Sequence, residues 1–370
     1  MKFSISIKDL QSALGRISNA IPQRSPITIL ENIKMELFGN SLSLTATDLE
    51  ITTITKIDVS GIEDGSALFP GKKFIDTVRA LDLGEVEISV DNSNYRINIK
   101  TENGSYKLSG LNSDEFPRQT EFVSNVNVEF PMQKLSSIID KTTFACSTDD
   151  FRPAMTGVLF QFKGDSICAV ATDGFRLVRI IDKEVQTGSN APDIIIPPKA
   201  LNIVNKSFIS DNVVIDANST HVKFSDGITT VIARLIDETY PDYSSVIPPD
   251  GDKKLLINRD SILSTIRRVS IYSHQQTKQV RFKADSNILY IKAEDSDTGG
   301  EANESLTCDY SNELIEIGFN SQYVKDALDR VNVNNVEFTF TTPLRPALIA
   351  PTEQNGQDIL MLLMPIRLNN

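Results

Sequence analysis

Three alternating apolar stretches end in a carboxylate: "LSLTATDLEI" at 42–51, "ICAVATDGFRL" at 167–177 and "LYIKAEDSD" at 289–297. Asp48, Asp173 and Asp295 at such strand ends could serve as general bases or hold a divalent metal, the chemistry of a metal-dependent hydrolase. Two of them follow a threonine, and a hydroxyl beside a carboxylate also caps the turn after a strand. The only imidazoles are His221 and His274, and the chain has no Walker phosphate loop, HExxH or GxSxG. Three equal copies are more than catalysis needs, so the pattern favours turn capping in a repeated unit, with the hydrolase as the alternative.

The elements that carry these residues repeat as well. "IKMELFGNSLSLTATD" (33–48), "VLFQFKGDSICAVATD" (158–173) and "VRFKADSNILYIKAED" (280–295) each join two alternating runs through a Gly, Asn, Asp or Ser turn, the mark of a β-hairpin. Leu37 and Leu42 match Phe162 and Ile167, and these match Ala284 and Leu289, at offsets of 125 and 122 residues. A short strand and an amphipathic helix precede each hairpin. Apolar residues recur at helical spacing at Leu10, Leu14, Ile17 and Ile21, at Leu135, Ile138, Ile139, Thr142 and Ala145, and at Ile262, Leu263, Ile266 and Val269. A second helix with a Pro or Asn start follows each hairpin, then more alternating strands. The expectation is an α+β chain of three domains of about 123 residues, 1–122, 123–250 and 251–370, each with two helices on antiparallel sheet. The boundaries fall in the Pro-, Gly- or polar-rich "FPRQTEFVSN" and "PPDGDKK".

A chain of 370 residues is long enough for two or three ordinary cores. No apolar run is long enough to span a bilayer, and "MKFSISIKDL" lacks the apolar core of a signal peptide, so a cytoplasmic protein is expected. Cys146, Cys168 and Cys308 are far apart and odd in number, which argues for reduced, mostly buried thiols rather than a zinc site or a disulfide framework. No cofactor is expected. The net charge of -12 points away from nucleic acid if spread evenly. It is not: the helical segments carry Lys8, Arg16, Arg24, Lys72, Lys73, Arg79, Lys134, Lys141, Lys199, Lys206, Arg259, Arg267, Arg268, Lys325 and Arg330, against Asp9, Asp76, Asp140, Asp260, Asp326 and Asp329.

"LSLTATDLE" (42–50), "VATDGFRL" (170–177), "TYPDYSSVIP" (239–248), "EIGFNSQYVKDAL" (316–328) and "MPIRL" (364–368), in this order on a threefold repeat, resemble the bacterial β sliding clamp family, the processivity subunit of the replicative polymerase. The resemblance runs end to end. It implies the DNA clamp fold and a head-to-tail homodimer whose six domains close a ring, with helices lining the hole and sheets outside. It implies no catalysis, and sequence-independent binding of double-stranded DNA. Implied partners are the polymerase α subunit, the clamp loader, and other polymerases and repair proteins, all through short linear motifs. A monomeric basic-helix DNA binder that does not encircle is a further alternative.

Carried over by motif, the peptide groove is Met155, Thr172, Gly174, Phe175, Arg176, Leu177, Pro241, Val246, Asn320, Tyr323, Leu362, Met364, Pro365, Ile366 and Arg367. Leu362, Met364 and Ile366 alternate as on one face of a strand. DNA contacts fall to Arg24, Lys72, Lys73, Arg79 and Lys199. The dimer seam falls to Lys73, Arg96, Tyr106 and Leu108 of the first domain against Ile271, Tyr272, Glu301 and Glu304 of the third. The chain departs from the family at Phe175, where His is common, and at Ser245, where a basic residue is frequent. It departs again at Pro153-Ala154, where some members have an aromatic pair, and at the terminal Asn369-Asn370.

Overall fold

The computed structural model describes residues 1–118, 122–124, 126–187, 191–249, 251–354 and 356–368. Parts of both expected boundary segments, and Asn369-Asn370, lie outside these residues.

The first copy of the repeat runs β1 (Lys2–Ser6), α1 (Ile7–Ile17), β2 (Asn32–Phe38), β3 (Ser41–Thr47), β4 (Ile51–Asp58), β5 (Ser60–Glu63), β6 (Gly65–Pro70), α2 (Gly71–Arg79), β7 (Glu85–Asp91), β8 (Arg96–Lys100) and β9 (Ser105–Ser109). The second runs β10 (Val126–Pro131), α3 (Met132–Thr142), β11 (Val158–Phe162), β12 (Ile167–Thr172), β13 (Arg176–Asp182), β14 (Ile194–Ile196), α4 (Pro198–Ser207), β15 (Asn212–Ala217), β16 (His221–Ser225) and β17 (Thr229–Arg234). The third runs β18 (Lys253–Asn258), α5 (Arg259–Val269), β19 (Gln279–Asp285), β20 (Ile288–Asp295), β21 (Gly300–Thr307), β22 (Ile315–Asn320), α6 (Ser321–Asp329), β23 (Asn335–Phe340), β24 (Ala347–Pro351) and β25 (Gln357–Leu363). Among the described residues, only β5 lacks a counterpart in the other copies.

The hairpin alignment holds at the level of register. Leu37 opposes Leu42, Phe162 opposes Ile167 and Ala284 opposes Leu289. Each first helix forms for local reasons. Ser6 caps α1 by accepting from the Asp9 amide (3.1 Å) and donating to its carboxylate (2.7 Å). Asn258 accepts from the Ser261 amide ahead of α5 (3.0 Å). Ile7, Leu10, Ala13, Leu14 and Ile17 are the buried face of α1, and Ile21 lies beyond the helix end. Burying each large aliphatic of that face is worth about 1.5–3 kcal/mol.

Two compact units emerge, Met1–Ser136 with Lys199–Leu235, and Ser137–Pro198 with Ile236–Asn370. Each takes half of the middle copy, because sheets run through from one copy to the next. In the first unit the sheets are β5-β1-β7-β8-β9 and β10-β15-β16-β17-β4-β3-β2-β6; in the second they are β14-β11-β12-β13-β25-β24-β23-β18 and β21-β20-β19-β22. All the strand pairs are antiparallel. The joints follow one rule: the last strand of a copy adds to the last hairpin strand of the copy before it. Thus β17 lies on β4, with Val231 opposite Thr53, and β25 lies on β13, with Met361 opposite Val178.

Candidate functional site

The strand-end carboxylates are turn caps. Asp48 Oδ1 accepts from the amides of Glu50 (3.1 Å) and Ile51 (2.7 Å), while Thr47 Oγ1 donates to the Ile51 carbonyl (3.0 Å). The second copy repeats this. Asp173 Oδ1 accepts from Phe175 and Arg176 (both 2.9 Å), and Thr172 Oγ1 donates to the Arg176 carbonyl (2.7 Å). Asp295 accepts from the Asp297 amide (3.1 Å) and the Thr298 hydroxyl (2.8 Å). Ligand atoms of His274, Asp295 and Asp297 lie within 4.8 Å of one another. His274 Nδ1 accepts from the Gln276 amide (3.3 Å) and its Nε2 lies 3.2 Å from Asp297 Oδ2.

The turn requires positive φ at its second residue, where the first copy has Leu49 (78°) and the second has Gly174 (88°). A Cβ at Gly174 would also sit 2.9 Å from an Arg152 guanidinium nitrogen. One backbone bond then ties each turn to the next copy: the amide of Arg234 donates to the Glu50 carbonyl (2.9 Å), and that of Met364 to the Phe175 carbonyl (2.8 Å). The same scaffold therefore exists in both units, and its side chains differ. In the first unit it presents Glu50 and Arg234, an ion pair with both partners 65% exposed. In the second it presents Phe175 and Met364, 54% and 38% exposed. Only the second is built to receive apolar groups.

Beneath it, Leu177 and Leu362 oppose each other across β13 and β25 and are buried with Leu159, Cys168, Val170 and Ile195. Ala154, Tyr240, Tyr243 and Ile247 pack against this cluster from two other segments. The expected groove residues thus gather around one core, with differing roles. Thr172, Leu177 and Leu362 are floor; Phe175, Pro241, Val246, Met364 and Arg367 are exposed; Met155, Tyr323, Pro365 and Ile366 are half-buried. The carboxyl-terminal segment does not continue as a strand. β25 stops at Leu363, and after Pro365, which has no amide hydrogen, Ile366 turns to bond the Gly318 carbonyl (2.8 Å). Leu362 therefore does not share an exposed face with Met364. Asn320 is the cap of α6, its side chain accepting from the Gln322 amide (2.9 Å).

Arg176 is turned inward. Its side chain is 13% exposed, bonded to Asp173 (3.1 Å), to Asp326 and to the Phe144 carbonyl (2.7 Å). Its guanidinium lies over the rings of Tyr323 (4.6 Å) and Phe144 (5.1 Å). The sequence reading missed Phe144 and Asp326; the available signal was Asp326, one turn after Tyr323 on α6.

Among the expected DNA contacts, Lys72, Lys73 and Arg79 line a cavity of about 470 Å³ with Ile21, Pro22 and Glu31. Arg24 is exposed in the loop after α1, not on a helix. Lys199 is salt-bridged to Asp48. Arg259, Arg267 and Arg268 are likewise paired, with Asp260, Asp329 and Glu304; of these partners and Asp48, only Asp48 and Glu304 lie outside the helical acids already set against the cations. Of the seam residues, Tyr106, Ile271 and Tyr272 are 42%, 77% and 46% exposed, but Leu108 is 7% exposed and belongs to its own domain's core. Glu301 bonds Lys292 (2.9 Å), and Glu304 bonds Arg268 (2.6 Å), which holds its carboxyl below the usual range. Cys168 is buried, whereas Cys146 and Cys308 are only half-buried; burial pushes the Cys146 thiol up to about 12.

Models of the N-terminal, central and C-terminal domains of the DNA polymerase III beta subunit match residues 1–120, 129–242 and 244–367. The Beta sliding clamp of Escherichia coli (strain K12) is 30% identical over 373 residues, covering all of both chains. The chain belongs to the DNA polymerase III beta subunit family. Solved relatives agree along their whole length: the sliding clamp of Bartonella birtlesii bound to griselimycin superposes with a TM-score of 0.94 at 30% identity, and the beta subunit of Pseudomonas aeruginosa at 0.94 and 27%, each covering 100% of both chains. The chain is therefore a sliding clamp of three clamp domains, a non-catalytic processivity factor of DNA polymerase III. The hydrolase reading gives way to this, in keeping with carboxylates already engaged by backbone amides. No helix among the described residues is long and apolar enough to cross a membrane.

Proposed function

We propose that this clamp, in the cytoplasm, closes around double-stranded DNA as a head-to-tail homodimer. Each chain contributes three domains, 1–122, 123–250 and 251–370, to a six-domain ring that tethers the polymerase α subunit and, in turn, the clamp loader, other polymerases and repair proteins. The observation that carries the dimer is the joint rule within the chain. Two strands that the rule would join to a neighbouring copy, β9 and β21, are edges in their own sheets.

The register follows by equivalence. Tyr106 opposes Ile99 as Val231 opposes Phe224 and Met361 opposes Ile349, so the three are counterparts. Thr53 and Val178 lie four residues before the partners of Leu42 and Ile167; Ala302 lies four before that of Leu289. Since Val231 meets Thr53 and Met361 meets Val178, Tyr106 meets Ala302 of a second copy. Lys107 then faces Glu301 on the outer side, an attractive pair. Ile271 and Tyr272 supply exposed apolar area beside it, with Lys73 and Arg96 near Glu301 and Glu304.

Arg24, Lys72, Lys73 and Arg79 are the proposed phosphate contacts, which position without reading sequence; Lys199 contributes only if it leaves Asp48. Short linear motifs dock on the exposed Phe175, Pro241, Val246, Met364 and Arg367 above the Leu177–Leu362 floor. Losing one buried anchor commonly costs about 2 kcal/mol or more, roughly thirtyfold in affinity. The test titrates a fluorescent peptide from the polymerase α subunit into wild type and Met364→Asp while monitoring dimer mass. Abolished binding in an intact dimer is expected; unchanged affinity would mean that the groove lies elsewhere.

A further inference from the structure

The hairpin between β8 and β9 turns through Thr101, Glu102, Asn103 and Gly104, with the Thr101 amide donating to the Gly104 carbonyl (2.9 Å). Asn103 is exposed; among the described residues its side chain makes no hydrogen bond and the Gly104 amide donates none. Other turn asparagines are tied down. The side-chain carbonyls of Asn40, Asn94, Asn112, Asn218 and Asn287 accept from backbone amides at 3.1, 2.9, 3.1, 2.8 and 2.9 Å. Each of those is followed by a residue with a side chain, whereas Gly104 leaves its nitrogen unshielded. A Cβ at 104 would crowd Tyr106, 3.1 Å from its hydroxyl and 3.2 Å from its ring. The other Asn-Gly pair in the sequence, Asn355-Gly356, includes a residue outside those described.

Resting on the proposed head-to-tail dimer, we infer that Asn103 is a site of spontaneous modification: it converts to aspartate and isoaspartate, and the isoaspartate loosens the seam between two chains. The Gly104 nitrogen attacks Asn103 Cγ. A bond forms between them as the bond from Cγ to the side-chain nitrogen breaks, and the Gly104 amide proton leaves with that nitrogen as ammonia. Water then opens the cyclic imide at either carbonyl. Cleavage at Cγ gives aspartate; cleavage at the main-chain carbonyl gives isoaspartate, whose backbone runs through the side chain with an extra methylene. That insertion falls in the turn that sets β9 against β8, where Lys100 opposes Ser105 and Ile99 opposes Tyr106. β9 is the strand that the joint rule brings to β21 of a second copy, and Gly104 reaches the level of Glu304 when Tyr106 meets Ala302. A turn that no longer holds β9 in register deprives the seam of its nearest backbone hydrogen bonds. Each is worth an affinity factor of about two to ten.

The test incubates the full-length clamp in warm, mildly alkaline buffer beside Asn103→Gln, whose longer side chain cyclises poorly. Trypsin releases the peptide Thr101–Lys107, in which the mass gain of an amide-to-acid exchange and a split elution report the two products. That peptide should gain isoaspartate faster than those carrying Asn40, Asn112 or Asn218. In sedimentation the modified clamp should show a dimer dissociation constant raised about two- to tenfold, while Asn103→Gln keeps the value of fresh wild type. Modification of Asn103 no faster than that of the tied asparagines, or a modified clamp that dimerises like fresh protein, overturns the proposal. An equal loss of dimer in Asn103→Gln assigns the loosening to another site and overturns it too. A fresh wild type that is already monomeric overturns the dimer itself, whatever the peptide shows.

Discussion

Replacing Arg176 by alanine tests whether this residue holds the site together or merely borders it. The substitution removes the partner of Asp173 and Asp326, which are 14% and 26% exposed, and empties the space between two rings. Removing one member of a buried ion pair costs about 3–5 kcal/mol. Asp173 keeps two backbone donors and Asp326 keeps the Gln322 amide group and some water, which lowers the expected loss to about 2–3 kcal/mol. In a unit of this size each kcal/mol moves Tm by about 2–4 °C, so the transition should fall by roughly 5–10 °C. Calorimetry on Arg176→Ala, Asp326→Asn and the double variant gives the coupling directly. The double variant should recover part of the loss, since neutral Asn no longer needs the cation. A Tm within 1 °C of wild type, or additive losses, would refute the internal role.

Cysteines at Tyr106 and Ala302 should cross-link two chains under mild oxidation, whereas a pair displaced by one residue, at Lys107 and Ala302, should link poorly; the reverse yields on a non-reducing gel would reject the register. Leu108→Lys should unfold its domain rather than give clean monomers, because the side chain is 7% exposed before any partner arrives, and urea denaturation would show it. Burial works to raise the Asp216 pKa, but hydrogen bonds from Lys223 and Asn127 outweigh it and hold the carboxyl below its ordinary value. The stability this gives is present above about pH 4 and lost as pH falls through the lowered value, so the gap between wild type and Asp216→Asn should hold above about pH 4 and narrow as the pH is taken below it.

Much of this molecule is legible in its sequence because the repeat makes each copy a check on the others. Three hairpins of equal length, each opposing the same pair of positions, were set by local alternation and turn residues. The Thr-Asp endings were legible as caps because cap chemistry acts within three residues. What the chain hides is long-range. That β17 adds to β4 across more than 170 residues, and β25 to β13 in the same way, has no local signature, since sheet edges pair through backbone groups that every residue carries. For the same reason Arg176 looked like a ligand contact: its partners Phe144 and Asp326 come from other parts of the chain. Leu108, Leu177 and Leu362 read as interface or groove anchors, yet each faces the core, because alternation fixes which residues share a face and not which face is covered.

Retention on DNA tests the central proposal, a closed ring around the duplex, most directly. Clamp loaded on a nicked circular plasmid is washed in high salt, and half of the sample is then cut once with a restriction enzyme. A ring should persist on the circle, because a topological link is not weakened by screening, and should leave quickly by sliding off the cut ends. A protein held by phosphate contacts alone would be lost steeply with salt from both forms. Equal loss from circular and linear DNA would contradict encirclement.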